Sequence, residues 1–419
     1  MTDTLAPSRP KRKTASKKKK ASPKTQIKAK TKTKTRQAKP PTAAKLLEHF
    51  RKNGNHVLKK IRALHAAPNS RKILRTWDIN ETARLIGCAP NTIRKHETTD
   101  GSGILGKPEY GTNKRRAYSL SRINQIRDIL DQRYLRPAHS KPSIIAFSIF
   151  KGGGGKTTSA IHFAQYAALM GQRVLCVDLD PQGTMTFLFG YIPEVDFGSE
   201  ATVAEVLIDD PNLIHERIVE TNWPNIHLIP GNSGLEGTDM MLFDPSADNG
   251  RNLGPVLQRL DNALNKVADQ FDVIVLDCGP NLGVLTYNAT VAANILIIPM
   301  KPDMSAFGSC VSYTGSLEAL FKSYPKTFDY FRCYINQHPG GEDADQAERM
   351  IRLNFKDHVL HNVMVTTQEL QRSTNDLGTL YEVSKPKRSL QTYRRAIQHM
   401  NQVNQEIFDL VKTTWDNQA

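Results

Sequence analysis

Cysteine and long apolar runs are scarce in this chain, and acidic residues are almost missing from its first forty positions; each shortage closes off a class of protein. The 419 residues include five cysteines, at positions 88, 176, 278, 310 and 333. The count is odd and no two form a C-x-x-C pair, so neither a disulfide framework nor a zinc site is indicated. Cys176 and Cys333 lie in apolar runs and read as buried, inert thiols. His358 and His361 are three apart but have no carboxylate or cysteine in a ligand pattern, which argues against a metal there. No apolar run approaches the roughly 18 residues of a membrane span, and no signal peptide opens the chain, so a cytosolic protein is expected.

The shortage of acid at one end has its own meaning. Residues 1–40 hold 15 of the 57 Lys and Arg but only one of the 41 Asp and Glu, Asp3. They carry +14 of the formal +16, and the remaining 42 basic and 40 acidic residues nearly cancel. From Arg9 to Lys39 lysine alternates with Thr, Ser, Ala and Pro without an apolar period, so residues 1–41 read as a disordered Lys-rich tail. A polyanion is its natural target, and counterion release would make contact with DNA sequence-independent and strongly salt-sensitive. Lys11-Arg12-Lys13 and Lys17-Lys18-Lys19-Lys20 can also be read as a nuclear address, or the tail as a solubilising arm.

Glycine, by contrast, is concentrated at one place. In Lys151-Gly152-Gly153-Gly154-Gly155-Lys156-Thr157-Thr158 four glycines stand between two lysines. The apolar run Ile144, Ile145, Ala146, Phe147, Ile149 and Phe150 precedes them, as a strand buried on both faces would. Residues 157–170 follow as a helix stopped by Gly171. Strand, glycine loop and helix make an anion cradle: backbone N–H groups and a lysine face phosphates, and the helix N-terminus adds the positive end of its dipole. Against the pattern G-x-x-x-x-G-K-[ST], Phe150 replaces the first glycine and Lys151 adds a second lysine. A nucleotide bound with Mg²⁺ needs a hydroxyl and a carboxylate near the metal. Thr157 is the candidate ligand, and Asp277, ending the run 273–276, the candidate holder of a coordinating water. Asp180, at another strand end, would position Mg²⁺ or the attacking water. All of these fall at the carboxyl ends of strands, where ligands of parallel sheets gather. Ordinary capping is the alternative for Asp180 and Asp277.

Three motifs in order, residues 151–158, Asp178-Leu179-Asp180-Pro181-Gln182-Gly183 and residues 271–280, resemble the deviant Walker A loop, the D-x-D-P-Q-G motif and the Walker B strand of the ParA/MinD ATPases. The resemblance implies ATP and Mg²⁺ as cofactors. It puts residues Lys151, Gly152, Gly153, Gly154, Gly155, Lys156, Thr157 and Thr158 around ATP, Thr157, Asp180 and Asp277 around Mg²⁺, and Lys151, Lys156 and Asp180 in catalysis. Lys151 is implied to cross a homodimer interface to the partner's nucleotide. The loop 279–283, just beyond Walker B, is placed to sense the γ-phosphate. Asn336, closing the run 332–335, is a candidate adenine contact, although asparagine also serves as a strand-end turn residue. Position 154 departs from the family, with glycine where valine is common, and a fourth glycine should loosen the loop.

Apolar runs at 226–229, 273–276, 295–298 and 332–335 alternate with helical stretches, which predicts an α/β fold over residues 143–419: a P-loop parallel sheet with helices on both faces. Residues 42–76 read as a helical segment, broken near Gly54, that packs or pairs. Within 77–135, Asn80 can cap a helix through Gly87 and Pro90 can open a second. Helix, short glycine turn and helix is the helix-turn-helix layout. The stretch 80–95 resembles MerR-type winged helices and the N-terminal domains of large ParA proteins. Asn91, Thr92, Arg94 and Lys95 would then face DNA, residues 114–120 would form a wing carrying Arg115 and Arg116, and 121–134 would be the next helix. A bare helical hairpin with a solvated charged face is the alternative. Residues 136–142 read as linker.

Near the C-terminus Lys385, Lys387, Arg388, Arg394 and Arg395 concentrate positive charge, resembling the region where ParA dimers hold non-specific DNA; a solvated basic face is the alternative. The final helical run ends in Thr413-Thr414-Trp415-Asp416-Asn417-Gln418, without the lysine-rich face of a MinD-type membrane helix. As a whole the chain resembles a large, type Ia ParA or RepA partition ATPase. That resemblance implies weak ATP hydrolysis stimulated by a ParB-like centromere-binding partner. It also implies an ATP-bound homodimer on non-specific DNA, autorepression at an operator, and a cytoplasmic, nucleoid-associated location without membrane attachment. A nucleotide-responsive transcription regulator and a MinD-like membrane-cycling positioning ATPase are the rival readings.

Overall fold

In the computed structural model, which describes residues 42–65, 72–98, 100–111, 114–243, 253–386 and 389–418, the N-terminal elements are one long helix followed by three short ones. The tail 1–41 and the basic residues Lys387 and Arg388 lie outside the described residues. The described residues divide into two units between Arg51 and Lys52. Helix α1 (Ala43–His65) is continuous, against the expected break at Gly54: a glycine inside a helix costs only about 1 kcal/mol, too little to interrupt this one. Leu47, Phe50 and Val57 are exposed along it.

Helix α2 (Ile79–Ile86) is capped by Asp78 rather than Asn80. The Asp78 carboxylate accepts from the backbone N–H groups of Asn80 and Glu81 at 2.8 Å, and Glu81 accepts from Asp78 N–H at 3.3 Å, a reciprocal capping box. Gly87, with φ 86°, closes the helix, and Pro90 occupies the first turn of α3 (Pro90–His96). Antiparallel bridges Tyr110 to Arg116 and Trp77 to Tyr118 lead the chain back to α4 (Leu120–Ile129), capped by Ser119. This helix ends well before residue 134, and Asp131 just beyond it turns the chain at φ 52°.

Beyond residue 142 the strand runs carry apolar residues at successive positions, so both faces of the sheet demand cover. Strands β1 (Ser143–Phe147), β2 (Val174–Leu179), β3 (Val219–Glu220), β4 (Ile226–Ile229), β5 (Val273–Cys278), β6 (Ile295–Met300) and β7 (Tyr330–Ile335) form a sheet in the order β3-β4-β2-β5-β1-β6-β7. Only the edge pair β3 and β4 is antiparallel. Alternate side chains leave on opposite faces. Ile145, Phe147, Cys176 and Val275 join one core with α5 (Lys156–Leu169) and the C-terminal helix. Ala146, Val177, Leu276 and Ile298 join a second core with α6 (Arg259–Asn265), α7 (Val284–Ala292) and α8 (Met304–Ser323). The C-terminal helix is α9 (Leu390–Asp416).

Residues 136–142, expected to be a linker, are pinned rather than loose. Arg136 reaches Asp272 at 3.4 Å, and Lys141 N–H donates to Gln418 at 2.9 Å. Just before them, Tyr134 stacks on Trp415 with 12° between the rings. Ile79, Ile93, Ile123 and Ile126 of α2, α3 and α4 also belong to the same apolar cluster as α5. The short helices and the sheet therefore share one core.

Candidate nucleotide site

β1 delivers the glycine loop to the carboxyl edge of the sheet, and α5 receives it. Gly153 and Gly155 take φ of 74° and 86°, where a side chain would strain the backbone. At Gly155 space is decisive as well: a Cβ would stand 2.4 Å from Asn336 Nδ2. Gly154 is buried against β6, its missing Cβ only 3.3 Å from the Pro299 carbonyl, so the fourth glycine sits in a packed position rather than a loose one. Gly152 is exposed, Thr157 and Thr158 are half-buried in the first turn of α5, and Phe150 lies beyond β1 in the open.

Lys156 is buried, and burial lowers its pKa against the opposing pull of Asp277. Asp277 is fully buried at the end of β5, directly beside Phe147 and Asp178 in the sheet register. Burial, then the charge of Asp178, pushes its carboxyl well above the usual range, partly offset by the Thr157 hydroxyl and Lys156. Yet no donor reaches either of its oxygens with hydrogen-bonding geometry. An orphaned buried carboxylate costs stability and is rare. Together with Thr157 it fits a hard cation. One carboxylate and one hydroxyl are enough protein ligands for Mg²⁺, an ion that keeps waters and takes one or two carboxylates plus phosphate oxygens.

Asp180 follows β2. It is half-buried, accepts from Gln182 N–H at 3.0 Å, and lies against Gly279 of the loop beyond β5. The structure thus brings Lys156, Thr157, Asp180 and Asp277 to one edge of the sheet. Asp178, two residues earlier, is absent from the set expected from sequence. It is fully buried, accepts from the Thr186 N–H and hydroxyl at 2.9 and 2.7 Å, and burial pushes it to about 6. The signal for it is its place as the first Asp of the D-x-D motif.

Two expectations meet a different arrangement. Lys151 is docked on its own chain, donating to Ser305 Oγ at 3.0 Å and pairing with Asp303 at 3.5 Å, at the start of α8. Asn336 is braced under the loop: its Nδ2 donates to the Gly154 carbonyl at 2.8 Å and its Oδ1 accepts from Gln337 N–H at 2.9 Å. Buried and committed at both ends of the amide, it serves here as a strut where β7 approaches the loop closely.

Among the residues expected at DNA, Asn91, Arg94 and Lys95 are exposed on or beside α3 and Thr92 is half-buried, with Arg94 donating to Asn91 at 2.7 Å. Arg115 is exposed, but Arg116 is turned inward. It pairs at 3.1 Å with Glu97, a fully buried carboxylate that also accepts from Tyr118 and Arg122. A buried carboxylate needs such partners, so Arg116 serves the fold. Lys385, Arg394 and Arg395 are exposed near the start of α9.

The AAA domain family matches residues 142–323. The chain is 33% identical over 403 residues to a replication protein A of Sinorhizobium fredii, covering 90% of this chain and 97% of that one. It is 31% identical over 363 residues to the protein SopA of Escherichia coli strain K12, covering 84% and 92%. A solved structure titled a partition protein shares its fold, with a TM-score of 0.59 at 17% identity over 88% of this chain and 98% of that one. The ordered motifs, the P-loop sheet that carries them and this likeness along nearly the whole sequence agree: the chain belongs to the ParA/MinD family of partition ATPases.

Proposed function

We propose that the chain is an ATP- and Mg²⁺-dependent, DNA-bound partition ATPase of the cytoplasm and nucleoid, which segregates a plasmid or chromosome by alternating between an ATP-bound dimer on DNA and a released form. The observation that carries this is the pairing of an orphaned, buried Asp277 with Lys156 and Thr157 at a glycine loop. Mg²⁺, when bound, supplies charge neutralisation on the phosphates. Lys156 and the loop N–H groups would hold those phosphates, and Thr157 and Asp277 would orient the metal side. Asp180, beside Gly279, would position the attacking water and report the γ-phosphate to the loop 279–283.

Lys151 is the proposed link between nucleotide and dimer. Its ion pair with Asp303 is partly exposed, and such pairs are worth only about 0–1 kcal/mol. Leaving Asp303 and Ser305 for the partner's phosphates would therefore cost little. The Lys151→Ala variant is expected to bind ATP nearly as well but to lose ATP-dependent dimerisation and turnover; normal dimerisation with ATP would refute this role.

The α2–α3 pair with the Tyr110 to Tyr118 return is proposed to act as a winged helix-turn-helix reading an operator, which gives autorepression. Arg394, Arg395 and Lys385 would serve non-specific DNA, and a ParB-like protein would stimulate hydrolysis. The test is DNA binding to random and operator duplexes with ATP, ADP or neither across a salt series. Random-DNA binding that requires ATP, with a separate operator preference, is the expected result. Binding indifferent to nucleotide would overturn it. Deleting residues 1–40 should flatten the salt dependence, since every phosphate that the tail neutralises steepens the slope by roughly 0.9.

A further inference from the structure

α5 has two ends. Its N-terminus carries Lys156 and Thr157, and its C-terminus stops at Leu169, whose carbonyl is one of the four that no helix satisfies internally. A guanidinium from another element occupies that end. Arg127 of α4, only 2% exposed, donates from Nη2 to the Leu169 carbonyl at 2.6 Å and to the Leu85 carbonyl, in the last turn of α2, at 2.9 Å. Its Nη1 donates to Asn124 Oδ1 at 2.6 Å. Gly171, at φ 92°, lets the chain pass so near that a Cβ would stand 2.9 Å from Nη1.

This cation bridges the negative ends of two helix dipoles, and no carboxylate hydrogen-bonds to it among the described residues. Burial, with the charge of Arg133, lowers its pKa to about 10, so it stays protonated near neutrality. A planar guanidinium can hold both carbonyls and Asn124 only while the two helix ends keep one separation and angle. Between its ends α5 is buried at nearly every residue from Ser159 to Leu169, so it transmits displacement as a rod rather than by bending.

We propose that Arg127 is a positioning residue that holds the C-terminal ends of α5 and α2 in register, so that nucleotide bound at the glycine loop changes the presentation of α2 and α3. The part of this that concerns DNA rests on the function proposed above; the mechanical coupling does not. By linkage, whatever the nucleotide does to α2 and α3, a ligand held there does to nucleotide affinity by the same factor.

The test compares amide hydrogen exchange across residues 83–96 of the full chain with ATP, with ADP and without nucleotide. In the unsubstituted protein ATP and ADP should give protection differing by about fivefold or more, within the ordinary range of coupling between sites. In Arg127→Lys, which keeps the charge but has a shorter reach and no planar fork to fix the two carbonyls and Asn124 at one angle, that difference should fall to within about twofold, with affinity for a fluorescent ATP analogue unchanged on the same scale. A purely structural role would instead speed exchange equally in every nucleotide state. Asn124→Ala keeps the two carbonyl contacts and should halve the effect on a logarithmic scale, which preserves the test should Arg127→Lys not fold. No nucleotide-dependent difference in the unsubstituted protein, or a full difference in Arg127→Lys, overturns the proposal. An operator duplex in parallel separates the two readings: absence of operator binding with the exchange coupling intact removes the DNA role alone.

Discussion

Glu382 and Asp277 are both buried carboxylates, and the molecule treats them in opposite ways. Glu382 forms a short ion pair with Lys72, and accepts from Asn222 at 2.8 Å, Trp223 Nε1 at 3.1 Å and Thr379 N–H at 2.9 Å. Burial raises its pKa, but the Lys72 charge and these donors outweigh that and leave it below the usual range. Asp277 faces Asp178 and Asp180, whose charges Lys156 only partly offsets, and with no hydrogen bond completing either oxygen its pKa is pushed well above the usual range, chiefly by burial. A satisfied buried acid ties segments together, and here Glu382 joins the chain before α2, the loop before β4 and the segment before α9. An unsatisfied one is tolerated where a ligand completes it, and Asp277 stands at the phosphate loop.

Breaking each site should therefore give contrasting losses. Glu382→Ala removes one partner of a buried pair and strands Lys72, so a cost of about 3–5 kcal/mol is expected in chemical denaturation, read against the unsubstituted chain. A loss below about 1 kcal/mol would mean that water already shares this pair. Asp277→Asn should slow ATP turnover by about 10²–10³-fold in a phosphate-release assay, the scale on which a single electrostatic group at a reacting centre counts. The same variant should be more stable than the unsubstituted chain without nucleotide, by about 0.5–2 kcal/mol, as relief of a functional strain usually is.

The pH dependence sharpens the contrast further, and its sign differs between the two acids. Glu382 titrates lower folded than unfolded, so its contribution is fully present above about pH 4.3 and is lost as pH falls through the folded value. Asp277 titrates higher folded than unfolded, so its penalty is absent below about pH 3.9 and grows as pH rises. Denaturation midpoints of Glu382→Gln and Asp277→Asn against the unsubstituted chain across this range should diverge in opposite directions. Parallel curves would remove the distinction. Lys72→Met combined with Glu382→Leu strands no charge but leaves Asn222, Trp223 Nε1 and Thr379 N–H without their acceptor, so it should still cost about 1–3 kcal/mol, less than Glu382→Ala.

The glycine loop, the carboxylates at strand ends and the alternation of strands and helices are legible because each is a local pattern. Strand runs such as 226–229 and 295–298 announce themselves by continuous apolar residues, and Pro90 and Gly87 by backbone geometry. The cap of α2 is equally local, since Asp78 and Glu81 stand at capping-box spacing, but Asn80 offers a second chemically acceptable cap. Arg116 reads as a wing residue when exposure is inferred from charge alone. Its partner Glu97 is 19 residues away, and only packing buries that acid and makes it demand a cation.

By itself the sequence determined that a phosphate loop opens α5, that a threonine follows it in the first helical turn with two carboxylates at strand ends nearby, and that positive charge is gathered into the first forty residues. These follow from period, spacing and composition, which need no tertiary contact. Only the tertiary structure decided that Lys151 rests on Asp303 and Ser305, that Asn336 braces Gly154, that Glu382 is satisfied and Asp277 is not, and that Arg127 joins two helix ends. The physical reason is burial. A side chain's partners, and hence its charge state and role, depend on which groups share its loss of water, and those groups come from parts of the chain far apart in sequence.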